Sequence, residues 1–408
     1  MMVHALHAWH VLRWLILCGA TLPLIYYSLA IYCVRGFFHR GQTNSYQARG
    51  YTPPVSILKP VKGLDRDAYE NFASFCRLDY PAYEVLFAVA DGNDPAVPVI
   101  ERVMKDYPGR SIRLFVGSET IGLNKKVNKL CRLEREAKSD LLVVNDSDIR
   151  VGPDYLRTVV APFQDPKVGA VTCLYVGVPD KQLGAELEAI GIATEFHAGV
   201  LVARHLEGVK FALGSTMATT RQRLEEFGGF RALADCHSDD FELGRRIAAL
   251  GYVVEIPRYV VWTVCPELSA QGYFAHQLRW GLTTRFSRPW GHIGSLLTMG
   301  LPWSLAAATV APSIWIGTAY LAAYLILRLA LAWTLGAKGL GDSLVRRKLW
   351  LVPLRDALAF PIWLCTFFFN RIDWRGTSFQ LHGRQLVPIV KAPVPAGSIQ
   401  EAPAGGRR

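Results

Sequence analysis

Asp146-Ser147-Asp148 is the segment of this chain best equipped for chemistry. Two carboxylates one residue apart on a turn can reach the same hard cation, and Mg²⁺ or Mn²⁺ typically links such groups to a substrate's phosphates. Asp-x-Asp alone is also an ordinary turn sequence. Its position makes it more informative. The trio follows the apolar run Leu141-Leu142-Val143-Val144, which reads as a buried strand. Ligands of open α/β sheets bind at the carboxyl ends of such strands.

Four further features follow the same logic. Lys59-Pro60-Val61-Lys62-Gly63 comes directly after another apolar run, and its two cations, Lys59 and Lys62, suit a nucleotide diphosphate. Asp91 ends the next run, where a carboxylate can accept hydrogen bonds from a base or ribose; Asp94 beside it could equally cap the following helix. Gly122-Leu123-Asn124-Lys125-Lys126-Val127-Asn128 sets amides and ammonium groups, Lys126 and Asn128 among them, behind a flexible glycine. Asp239-Asp240 offers a general base. His276-Gln277-Leu278-Arg279-Trp280 offers a cation for a departing diphosphate and an aromatic face for a sugar or lipid head group.

These residues need a scaffold. Val55-Ser56-Ile57-Leu58, 84–89, Leu141–Val144 and 170–175 read as strands, and 67–77, 96–106 and 241–250 as helices, the last stopped by Gly251. That alternation predicts an α/β domain over 52–285 with a mostly parallel sheet. On either side the chain is apolar. Residues 9–34 exceed the ~20 needed to cross a bilayer as a helix. Arg35, His39, Arg40, Arg49, Lys59 and Lys62 then place the domain in the cytoplasm by the positive-inside rule. Residues 293–370 form a second membrane region, with two passes in 293–336 and turns or kinks at Pro302 and Pro312. Arg355 and Asp356 inside 349–369 are costly at mid-membrane unless paired, so this segment is expected to be interfacial or re-entrant. A cytoplasmic tail, 371–408, is expected to be disordered from about 391.

Composition supports a mixed membrane and globular chain: 51% hydrophobic residues with 11 Trp, yet 19% charged. The net charge of +11 is spread out, which favours phosphate-bearing substrates and anionic lipid over nucleic acid. The eight cysteines lack metal-ligand spacing and are expected as free thiols.

In order and spacing these motifs resemble the ceramide glucosyltransferase family of inverting glycosyltransferases, from about Lys59 to Trp280. The resemblance implies a nucleotide-sugar-binding A-type glycosyltransferase domain flanked by N- and C-terminal transmembrane helices. It implies a UDP-sugar donor, a membrane lipid acceptor and a bound Mg²⁺ or Mn²⁺. Asp146 and Asp148 would hold the metal, Asp91 the nucleoside, and Asp240 would be the catalytic base, with Asp239 beside it. Arg279 and Trp280 would line the leaving-group and acceptor side, and Lys59, Lys62, Lys126, Asn128 and His276 would contact substrate. His276 stands where the family usually has Gln or Arg, and Asp148 where eukaryotic members tend to have a small residue. With Asp373-Trp374-Arg375-Gly376, these departures resemble a bacterial hopanoid-biosynthesis-associated branch, which implies an inner-membrane location. The rival readings are a processive polysaccharide synthase, a polyprenyl-phosphate sugar transferase and a non-catalytic membrane scaffold.

Overall fold

Every residue of Val55–Pro60 is buried, as a strand covered on both faces requires. The structure, a computed structural model, describes residues 2–39, 50–117, 119–374 and 377–389. Arg40 and Arg49, counted above for orientation, lie outside these residues, as do Arg375, Gly376 and 391–408. Among the described residues the strands are β1 (Val55–Pro60), β2 (Tyr83–Val89), β3 (Ser111–Val116), β4 (Leu141–Val144), β5 (Ile149–Arg150), β6 (Val168–Val171), β7 (Leu174–Val178), β8 (Met217–Thr220), β9 (Val253–Glu255), β10 (Val260–Val264), β11 (Arg371–Trp374), β12 (Thr377–His382) and β13 (Gln385–Pro388).

Seven strands form the main sheet in the order β3-β2-β1-β4-β8-β6-β9, with β1 to β4 mutually parallel and β8 antiparallel to both neighbours. Apolar side chains fill both faces. Val55, Ile57, Val85 and Phe87 point into one core, Leu58, Leu86 and Ala88 into the other. The expected helices form at Ala68–Ser74, Val97–Asp106 and Asp239–Ala249, and Gly251 adopts φ +91° just beyond the last, as a left-handed helix stop requires.

The single strand expected at 170–175 is instead two. The chain leaves the main sheet after β6, and Thr172 is held by Glu255 O (2.9 Å) and Leu213 N (2.8 Å). It then enters a second sheet, β5-β10-β7. The switch puts β10 and β7 beside the acidic turn.

Among the described residues two helices are long and apolar enough to cross a membrane, Leu6–Phe38 and Ile314–Gly339, and a pair bent by 50°, Pro289–Thr298 with Gly300–Val310, would make a third span. The first helix continues into the domain: Tyr27, Ala30, Val34 and Phe37 join the core that contains Leu58 and Leu86. Pro312 lies in the turn between Gly300–Val310 and Ile314–Ala332, while Pro302 sits in a helical first turn. The helix Leu351–Cys365 has 15 residues, short for a full crossing. Its Asp356 is paired: Arg328 Nε and Nη2 reach the carboxylate at 2.8 and 3.0 Å, and Tyr324 donates to it at 3.0 Å. Arg355 meets Glu195.

After this helix the chain returns to the α/β domain. β11, β12 and β13 form an antiparallel sheet that packs Ile372, Phe379 and Leu381 against Leu282 of the helix Ala270–Ser287. Any crossings between Arg288 and Arg371 therefore come in pairs.

Replacing Asp356 by Leu leaves Arg328 buried without its partner. The expected cost is about 3–5 kcal/mol of stability. The double variant Arg328→Leu/Asp356→Leu should recover part of it, as read by thermal unfolding in detergent.

Candidate active site

β1, β2 and β4 run parallel, so Lys62, Asp91 and Asp146 follow strand ends on one edge of the sheet. The acidic turn is anchored from below. Asn145 is fully buried and donates to Ser215 O (2.6 Å) and Tyr155 Oη (2.8 Å), which pins the end of β4. Lys59 is also fully buried, with its ammonium 3.8 Å from the centre of the Phe75 ring, and it donates to the Asp146 carbonyl at 2.9 Å. Ser147 is hydrogen-bonded to Asp65. Thr263 Oγ1 on β10 donates to Asp148 Oδ2 at 2.9 Å, and Val264 N donates to the Asp148 carbonyl at 3.0 Å.

Burial pushes the Lys59 ammonium down to about 7, although Asp148, Asp146 and Asp65 all favour its charge. Burial, reinforced by Asp146 and Asp65, pushes the Asp148 carboxyl up to about 7. Crowded carboxylates with one buried cation beneath them form a site that gains from further positive charge.

The second half of the site comes from two helix starts. Asn124 caps the helix Lys125–Glu136, accepting from Lys126 N (3.0 Å) and Val127 N (3.2 Å), and donates to Cys236 O at 2.8 Å. Lys126 Nζ then reaches Asp146 Oδ1 at 2.8 Å and Asp239 Oδ2 at 2.9 Å. Burial opposes its charge, but Asp146, Asp239 and Asp240 outweigh burial and hold its pKa above the usual lysine range.

Asp240 opens the helix Asp239–Ala249 and accepts from Gly214 N (3.0 Å) and Phe241 N (2.7 Å). Burial, then Asp239, pushes its carboxyl up to about 6 against the pull of Lys126. Gly214 is where the two halves meet. A Cβ there would lie 2.9 Å from Asp146 Oδ2 and 3.3 Å from Asp240 Oδ2. Only glycine lets both carboxylates approach that point.

The C-terminal sheet braces this arrangement. Leu386 N donates to Asp235 O (2.9 Å) and His237 N to Arg384 O (3.3 Å), while the Asp235 carboxylate accepts from Leu123 N at 3.0 Å.

Six of the expected site residues thus form one cluster: Lys59, Lys126, Asp146, Asp148, Asp239 and Asp240. Lys59 acts from inside the sheet as a support for the turn. Asn128 spends its amide on the backbone of Ile121 (3.2 Å) and Gly122 (3.0 Å) and so shapes the loop before Lys126. Asp91 is exposed, its Oδ1 accepting from Asn93 N at 2.9 Å, and Asp94 clamps Gly63 N (2.9 Å) while capping Ala96 N (3.0 Å). His276, Arg279 and Trp280 lie together on the helix Ala270–Ser287, with the rings of His276 and Trp280 5.1 Å apart. On β7, burial pushes the Tyr175 phenol above the usual range, and Asp240, Glu188, Asp148 and Asp146 add to the shift. Sequence reasoning missed Gly214, Tyr175, Asp65, Thr263 and Glu188. Only Asp65, on the basic loop after β1, carried a signal.

Among the described residues no group of three or more His, Cys, Asp or Glu side chains is arranged to hold a metal ion. Asp146 and Asp148 fit a different mode, in which one or two carboxylates share a hard cation with substrate phosphates and water. The raised Asp148 carboxyl is what a neighbouring cation would relieve.

The mostly parallel sheet with acidic turns at its strand ends, completed by a second sheet, has the A-type glycosyltransferase fold. The fold is similar to that of a mannosyltransferase from Pyrobaculum calidifontis solved with GDP-mannose and Mn²⁺ (TM-score 0.53, 20% identity, covering 88% of this chain and 99% of that one). The chain belongs to glycosyl transferase family 21, whose sequence model matches residues 15–387. It is 30% identical over 229 residues to ceramide glucosyltransferase 3 of Caenorhabditis elegans, covering 56% of this chain and 50% of that protein. To a ceramide glucosyltransferase of Gibberella zeae it is 35% identical over 133 residues, covering 30% and 25%. The chain spans about half the length, or less, of the curated relatives it matches.

Gly214→Ala places a methyl group against both carboxylates and forces them apart. Displacements of about 1 Å can cost 10²-fold in rate. Turnover should fall by roughly that factor with an unchanged circular dichroism spectrum.

Proposed function

We propose that this chain transfers a hexose, glucose or N-acetylglucosamine, from a UDP-sugar to a hydroxyl of a membrane lipid, a ceramide or hopanoid, with inversion at the anomeric carbon. The observation that carries the proposal is the approach of Asp146 and Asp240 to the single position Gly214. It sets a diphosphate-site carboxylate beside a carboxylate suited to general-base work. Membership of family 21 and the similarity to ceramide glucosyltransferases support the substrate classes.

In this reading Asp91 receives the nucleoside and Lys62 faces the diphosphate at the strand ends. Asp240 accepts the proton of the lipid hydroxyl. As that oxygen forms its bond to the anomeric carbon, the bond from this carbon to the UDP oxygen breaks on the opposite face. Lys126 and Arg279 neutralise the charge that grows on UDP, and Trp280 borders the acceptor. Asp146 and Asp148 would hold Mg²⁺ or Mn²⁺, which when bound supplies further neutralisation of the diphosphate. The apolar helices keep the site at the bilayer surface, where a lipid hydroxyl can reach it. The catalytic domain faces the cytoplasm, with Trp290 (82% exposed) and Trp350 (64% exposed) as aromatic anchors beside the membrane helices.

Asp240→Asn should lower kcat by about 10²–10⁴-fold, the usual scale of general-base assistance, while UDP binding measured by calorimetry stays close to that of the unaltered chain. Near-normal turnover in this variant would remove Asp240 as the base. The base works only when ionised, so kcat/KM should fall as pH drops through about 6, the value to which burial raises Asp240. Chelation with EDTA should stop turnover, and Mg²⁺ or Mn²⁺ should restore it.

A further inference from the structure

One chain of polar contacts reaches Arg279 through two groups that the mechanism above does not use, Glu188 and His276. Glu188 lies on the helix Leu183–Gly191, among residues that are buried from position 184 to 191, and its side chain is only 4% exposed. Its carboxylate meets His276 Nδ1 at 2.5 Å, and His276 Nε2 meets Arg279 Nη2 at 2.5 Å. A buried carboxylate is costly unless it accepts hydrogen bonds. A guanidinium has donors only, so Nε2 must offer its lone pair to Arg279. The ring proton therefore sits on Nδ1 and is donated to Glu188. Each hydrogen bond fixes the direction of the next, and Arg279 is held at the end of the series.

The series packs on the strands that hold the acidic turn. A Cβ at Gly177 on β7 would lie 2.7 Å from Ala189, the neighbour of Glu188, and 2.9 Å from Cys265 Sγ, and Val264 just before that cysteine donates to the Asp148 carbonyl at 3.0 Å. His276 also packs against Trp280, so the aromatic wall and the cation are set by one imidazole.

We infer that Glu188 and His276 are positioning residues that orient Arg279 toward the charge developing on the departing UDP. This assignment rests on the glycosyl transfer proposed above. It also gives a physical reason for histidine at position 276. The bridge needs a donor toward Glu188 and an acceptor toward Arg279. A glutamine amide has both, and leucine has neither.

The test uses the full chain in detergent with Mn²⁺. UDP binding is measured by calorimetry. Turnover is measured with UDP-glucose, UDP-N-acetylglucosamine and UDP-galactose in turn, on phosphatidylcholine vesicles containing both ceramide and a hydroxylated hopanoid. His276→Leu and Glu188→Gln should each lower kcat about 10-fold or more, as lost orientation of a charged partner typically does. The KM for the donor should change little, and UDP, which carries the full leaving-group charge, should bind more weakly in step with kcat. The combined variant should be no worse than its worse parent, because both changes break one series. His276→Gln should recover most of what His276→Leu loses. Additive losses, unchanged UDP affinity, or failure of His276→Gln to recover function would overturn the assignment. Absence of turnover in the unaltered chain with every donor would instead sink the proposed transfer, and the UDP titrations would still decide the positioning role.

Discussion

The site depends on one ammonium group. Lys126 is drawn between Asp146, at the end of β4, and Asp239, at the start of a helix that arrives much later in the chain. Two carboxylates so close in a buried setting repel each other and resist ionising together. The lysine between them offsets that repulsion and makes the strand-end turn and the Asp239–Asp240 helix start one electrostatic unit. Lys59 supports the same turn from beneath by a different contact, donating to the Asp146 carbonyl.

Positioning here is shared between elements distant in sequence. β4 supplies the turn, β10 holds Asp148 through Thr263, the segment at Gly214 receives both carboxylates, and the C-terminal strands hold the loop before Asp239. The N-terminal apolar helix extends the same core, so this helix and the α/β domain share packing.

Much of this was legible in the residues. Apolar runs ending in Asp91 and Asp146 marked strand ends, and the charged motifs downstream marked the other wall. Side-chain roles were less legible. Lys59 looked like a phosphate ligand because a cation after a strand usually faces solvent, yet strand geometry turns it inward. Gly214 has no side chain to announce itself, and only the three-dimensional approach of two carboxylates shows why it is glycine. Glu188 lies 88 residues before His276, and nothing in the spacing of its helix announces that partner. Arg328 was hidden in a hydrophobic stretch, and its pairing with Asp356 explains how a charge pair is tolerated in the segment 349–369. The two-sheet switch at Thr172 escaped notice because a continuous β-prone run conceals a change of partner.

The strands β11, β12 and β13 leave the ribosome after the apolar helices that precede them. Domains generally acquire structure from the N-terminal end during synthesis. The loop that presents Asp240 gains its backbone partners Arg384 and Leu386 only when these strands have docked. Synthesis thus delivers the apolar helices before the loop at Asp240 is braced, which links completion of the acidic cluster to the helices made ahead of it.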